Sequence, residues 1–172
     1  MIKTGKNLYL ADTAVLIGDV SVGENVTIMD SAVVRGDENP IYIGDNSNLQ
    51  DNVTVHVNIN YSAKIGKNVS VGHNAIVHGC VIEDNVLIGM GAIIMNNARI
   101  RSGSVVAAGT VITENFECEE NSLIVGIPGS IKKIDKKYRE MAYLNSLEYV
   151  KLNEEYRNGK YQRITGRDLN HE

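Results

Sequence analysis

The 172-residue sequence has no tryptophan, one phenylalanine and two prolines. A core with so little aromatic bulk must be filled by branched aliphatic side chains. Valine, isoleucine, glycine and asparagine are abundant, a mixture that favours strands over helices. Two cysteines, Cys80 and Cys118, are too few and too widely spaced for a disulfide framework. That favours a reduced, cytoplasmic setting. No stretch approaches the ~20 apolar residues of a membrane span, and the opening MIKTGKNLYL lacks the apolar core of a signal peptide. Nor is there an excess of positive charge, with 17 lysines and arginines against 21 aspartates and glutamates. A net charge of −4 argues against nucleic acid or an anionic membrane as the main partner. The length fits one domain with a sizeable core.

What is present is a repeat of six. Val22-Gly23-Glu24-Asn25-Val26 recurs as Ile43-Gly44-Asp45-Asn46-Ser47, Ile65-Gly66-Lys67-Asn68-Val69 and Ile82-Glu83-Asp84-Asn85-Val86, with further units between them. Each unit begins with an aliphatic residue, carries Asn or a small turn-former fourth, and a small or β-branched residue fifth. A plain strand repeats every two residues; a period of six requires a corner in every unit, where Gly and Asn tolerate positive φ.

The pattern resembles the hexapeptide repeat. That resemblance implies an all-β solenoid, a left-handed parallel β-helix with three units per triangular coil, here followed by a C-terminal α-helix. Three columns of aliphatic residues follow: Val22, Ile43, Ile65, Ile82 and Ile100; Ile28, Leu49, Val71, Ile88 and Val106; Val34, Val55, Val77, Ile94 and Ile112. Two insertions, GDENPIY and HVNINYSAK, break the spacing and are expected to project as loops. After IVGIPGSIKKI the repeat stops. From roughly Asp135 to Tyr156 the chain lacks Gly and Pro and sets Tyr143, Leu147 and Val150 on one helical face, with Pro128-Gly129 marking the turn into the helix. Residues 1–130 are therefore read as the solenoid and 131–172 as a helix and tail packed on it. The tail NGKYQRITGRDLNHE is expected to fray or to cap.

Three of the four histidines gain geometry from these columns. His56 and His78 each follow a third-column aliphatic in consecutive coils and should stack, with Arg35 one coil earlier. His73 falls at a different corner, stacked on Asp51. Three imidazoles with an open fourth position make a catalytic type of metal site. One subunit cannot easily bring all three together, but two can. A heterologous edge contact of that kind closes a ring around a threefold axis, so a homotrimer is expected. Three histidines suit Zn²⁺, Fe²⁺ or Co²⁺ alike.

Arg35-Gly36-Asp37, Asn48-Leu49-Gln50-Asp51, His56 and the segment VGHNAIVHGC resemble, in order and spacing, the γ-class carbonic anhydrases and their close relatives. The resemblance places a metal on His56, His73 and His78, with His73 supplied by the adjacent subunit. It implies reversible hydration of CO2 to bicarbonate by a metal hydroxide. Gln50 matches the glutamine that orients the hydroxide and CO2, Arg35 matches the arginine linked to subunit contacts and bicarbonate handling, and Asp37 and Asp51 match the carboxylates that pair with that arginine around the interface. A purely structural interface network explains Arg35 and the two aspartates nearly as well. The archetype carries an acidic loop with a proton-shuttling glutamate after its first metal histidine. Here Val57-Asn58-Ile59-Asn60-Tyr61 has no carboxylate, which leaves Glu38 as the candidate shuttle or a solvated charge. Other readings are a hexapeptide acyltransferase using one histidine as general base, a metal-dependent thioesterase or hydrolase, and a non-catalytic trimer binding metal or bicarbonate.

Overall fold

Most corners of this chain turn on a residue that can hold a positive φ. Asn25, Asn46, Asn68 and Asn85 do so at the first corner, Ser31, Asn52 and Asn74 at the second, and Asn97 and Asn115 at the third, all with φ between 55° and 62°. For most L-residues this conformation costs roughly 1–2 kcal/mol; a short amide side chain pays least after glycine. The computed structural model describes residues 1–166 and 168, and they form a left-handed parallel β-helix of triangular coils.

The corners set the columns. Val34, Val55, Val77, Ile94 and Ile112 pair in parallel register on one face, and Val22, Ile43, Ile65, Ile82 and Ile100 on another. Ile28, Leu49, Val71, Ile88 and Val106 line the face between them. All fifteen are buried, so the interior is the three expected aliphatic columns with the small fifth residues, such as Ala75 and Ala92, beside them. Full burial of each large aliphatic contributes about 1.5–3 kcal/mol.

At the first corner the asparagines also bond to one another. Asn25 Nδ2 donates to Asn46 Oδ1 (3.0 Å), Asn46 Nδ2 to Asn68 Oδ1 (3.1 Å) and Asn68 Nδ2 to Asn85 Oδ1 (3.2 Å). The ladder stops at Gly103, where a Cβ would come within 2.4 Å of Asn121 Oδ1 and 2.8 Å of Arg139 Cβ.

The two insertions behave differently. GDENPIY does not project as a loop; it is part of the strand Val33–Ile43, parallel to Val15–Val22. Gly18 pairs with Gly36 and Val20 with Ile41, so the extra residues are absorbed as a bulge opposite Asp19. The second insertion forms a tight turn closed by an antiparallel bridge between Asn58 and Tyr61. Asn58 Oδ1 accepts from the N–H groups of Asn60 and Tyr61, both at 3.0 Å.

Parallel stacking ends in an antiparallel hairpin, Ser122–Gly126 with Gly129–Ile134. Pro128-Gly129 thus turns one strand into another, rather than into the helix. The helix Lys137–Arg157 lies along the middle face, but its buried residues are Tyr138, Ala142, Ser146 and Asn153. Tyr143 and Leu147, expected on the packed side, are 42% and 40% exposed. The surface beneath explains the difference. It carries Thr27, Asn48 and Ser70, all buried, and small or polar helix residues sit close to it. Asn153 Nδ2 donates to Val26 O at 2.8 Å and to Thr27 Oγ1 at 3.2 Å.

The tail folds back onto the first coils, where Arg163 pairs with Asp30 and Asp12. Of the tail, Arg167 and residues 169–172 lie outside the described residues. Among the described residues no helix is long and apolar enough to cross a membrane.

Candidate metal centre

The register that builds the third column also stacks the chemistry beside it. His56 pairs with His78, and Arg35 with His56, in successive coils. His56 Nδ1 lies 3.0 Å from His78 Nε2, with the rings edge to face at 66°. Two nitrogens bound to one tetrahedral ion at 2.0–2.1 Å lie about 3.3 Å apart, so this pair fits two adjacent ligand positions with little movement.

Each imidazole is braced. His56 Nε2 lies 3.1 Å from Asp37 Oδ1, and Asp37 in turn ion-pairs with Arg35. Burial works upward on the Asp37 carboxyl, but hydrogen bonds from Arg35 and His56 together outweigh it and hold the group below the usual carboxylate range. His78 Nδ1 lies 2.8 Å from Asn96 Oδ1, and Asn96 Nδ2 donates to Glu114 Oε1 at 3.0 Å. Glu38 is exposed in the bulge beside Asp37.

His73 stands elsewhere, at the second corner. Its Nδ1 lies 2.9 Å from Asp51 Oδ2, and its backbone N–H donates to Gln50 Oε1 at 3.2 Å. Gln50 is buried, and its Nε2 donates to Asn48 Oδ1 at 3.3 Å. Asn48 is buried beneath the helix and donates to Ser70 Oγ at 2.8 Å, so it supports Gln50 from the interior side. Face three, the strand Ile76–His78 and its neighbours, separates His73 from His56 and His78. Among the described residues no three His, Cys, Asp or Glu of one chain are grouped to hold a metal ion.

Sequence reasoning missed Asn96 and Glu114. Both sit at the third corner in a chain rich in asparagine, and only their stacking beside His78 distinguishes them. Cys80 faces the core, where burial pushes its thiol up to about 12. At neutral pH it stays a protonated thiol and cannot serve as a nucleophile.

Comparison with known proteins follows the same lines. A family model described as "Bacterial transferase hexapeptide (six repeats)" matches residues 62–92 and 79–114. The chain is 42% identical to a "Probable carbonic anhydrase" of Methanocaldococcus jannaschii, over 87% of this chain and 94% of that protein. It is 34% identical to "Gamma carbonic anhydrase 2, mitochondrial" of Arabidopsis thaliana, over 74% of this chain and 48% of that longer protein. A solved hexapeptide transferase family protein from Anaplasma phagocytophilum superposes with a TM-score of 0.86 at 31% identity, covering 90% of this chain and 92% of that one. By its repeat, its columns and these relatives, the chain belongs to the γ-carbonic-anhydrase-like family of hexapeptide-repeat proteins.

Proposed function

We propose that the chain is a carbonic-anhydrase-like lyase that hydrates CO2 reversibly to bicarbonate. It works as a homotrimer with each metal site shared between subunits. His56 and His78 come from one edge, and His73 of the partner subunit completes the set. The observation that carries this reading is the split itself: two imidazoles meet at 3.0 Å while the third histidine is held at another corner of the same chain. When bound, Zn²⁺, Fe²⁺ or Co²⁺ supplies Lewis-acid activation of water near neutral pH.

The remaining residues position and move protons. Arg35 and Asp37 hold the His56 ring, and Asp51 holds His73. Gln50, fixed by Asn48 and the His73 backbone, orients CO2. Hydration releases a proton, and exposed Glu38 passes it to solvent buffer. The short Val57–Tyr61 turn offers no carboxylate for that task.

The transferase name of the Anaplasma relative favours a second reading, acyl transfer with a single histidine as general base. Mixed trimers separate the two. His56→Ala and His73→Ala chains are each inactive in CO2 hydration, and random mixing of equal amounts restores about a quarter of complete shared sites. Absence of recovery after verified mixing rules out the shared site. Acyl-CoA turnover by either parent variant, without CO2 hydration by the native chain, selects the transferase.

A further inference from the structure

An imidazole nitrogen binds a metal only when it carries a lone pair, and the two neutral tautomers of histidine place that lone pair differently. For His78 the nitrogen facing His56 is Nε2, so the proton belongs on Nδ1. Nδ1 faces Asn96 Oδ1 at 2.8 Å. An asparagine amide can rotate by half a turn and present its NH2 instead, which would invert the tautomer.

Glu114 prevents that rotation. Its carboxylate accepts hydrogen bonds and cannot donate them, so it takes the NH2 end of Asn96, at 3.0 Å. The amide oxygen is then left for His78, and an oxygen that only accepts calls for N–H on Nδ1. Gly79 leaves room for this approach: a Cβ there would stand 2.5 Å from Asn96 Oδ1. The turn itself needs neither side chain. Asn97 and Asn115, one residue later in each coil, hold the positive φ.

We infer that Asn96 and Glu114 are positioning residues that set the tautomer and ring orientation of His78 for metal binding, an inference that rests on the metal-centre reading above. Polar partners of this kind behind a metal-binding histidine commonly change affinity by about 10–100-fold.

The test uses the full chain, metal-free and ¹⁵N-labelled, with long-range ¹H–¹⁵N spectra of the His78 ring. The spectra are read in a His56→Ala background, because Asp37 beside His56 Nε2 leaves His56 Nδ1 to accept from His78 Nε2 in the metal-free chain. In that background the His78 ring shows Nδ1 protonated and Nε2 bare. Asn96→Ala removes the acceptor, and Glu114→Gln frees the amide to turn; each gives mixed tautomers. Zn²⁺ affinity, read with His56 intact by competition with a chromophoric chelator, falls about 10–100-fold in both. The double variant Asn96→Asp with Glu114→Gln restores an acceptor-only group beside His78 and recovers both tautomer and affinity. Thermal melts of each variant separate this effect from general loss of fold. An unchanged His78 tautomer in both single variants overturns the inference, as does a changed tautomer with native Zn²⁺ affinity. A native chain that binds no Zn²⁺ as a verified trimer defeats the metal-centre reading instead, and the spectra still report whether Glu114 sets the tautomer.

Discussion

The first and second corners of the prism follow the same six-residue rule and yet have little in common. At the first, Asn25, Asn46, Asn68 and Asn85 repeat coil after coil and bond in a continuous ladder. At the second, the turning residue is Ser31, Asn52, Asn74, Gly91 and then Gly109, and the residue before it changes from Asp30 to Asp51 to His73 to Met90. The repeat constrains the residue with positive φ and leaves its predecessor free. The ladder ties the first corner together, and the proposed metal ligand His73 takes the free position of the second.

The sharpest way to break this comparison is to exchange the damage. His73→Ala abolishes CO2 hydration to the uncatalysed rate, while its exposed pair with Asp51 costs at most about 1 kcal/mol in denaturant unfolding. Asn46→Ala does the reverse. It places alanine at φ 59° and removes two ladder bonds, costing about 2–4 kcal/mol, with activity per folded trimer unchanged. Asn46→Gly keeps the turn and loses only the bonds, about 1–2 kcal/mol. Equal losses of activity in the two alanine variants would erase the distinction between corners.

A smaller effect refines it. Gln50 reaches from one coil to the backbone of His73 in the next, so Gln50→Ala should lower kcat/KM about tenfold while metal content stays full. Native kcat/KM at full occupancy would reduce Gln50 to a structural bond.

The smallest effect lies with Asp30, the same corner position two coils before His73. A hydrogen bond from Arg163 holds its carboxyl below the usual range. Its contribution is therefore complete above the unfolded pKa and is lost as pH falls through the depressed folded value. Protection of the amides of residues 160–166, taken against their intrinsic exchange rates, should fall below about pH 4, and Arg163→Ala should show the lower protection already at neutral pH, at a cost of about 0.2–1 kcal/mol. Exchange that ignores both changes would mean that the tail is held by its aromatic contacts, Tyr156 with Tyr161, instead.

Much of this architecture is legible in the sequence because the period is strict. An aliphatic residue every sixth position has only one way to stay out of water, and His56 and His78 inherit their stacking from Val55 and Val77. Other features depend on contacts between distant segments. The side of the helix that packs is chosen by Thr27, Asn48 and Ser70, more than sixty residues earlier in the chain, so a search for apolar spacing selects Tyr143 and Leu147 instead. Asn96 and Glu114 escape for a related reason. A single amide among many acquires meaning only from which imidazole lies above it.

The break in the ladder at Gly103 comes one coil before the parallel stacking ends. A solenoid is a template that offers each new strand the same unpaired backbone edge, and an edge of that kind also accepts strands from other molecules. Here Arg139 fills the space that a side chain at Gly103 would take, with its Nε 3.2 Å from Asn121 Oδ1, and the hairpin Ser122–Ile134 reverses strand direction beyond it. The antiparallel strand Gly129–Ile134 thereby occupies the edge that Ser122–Gly126 would otherwise offer to a further parallel strand.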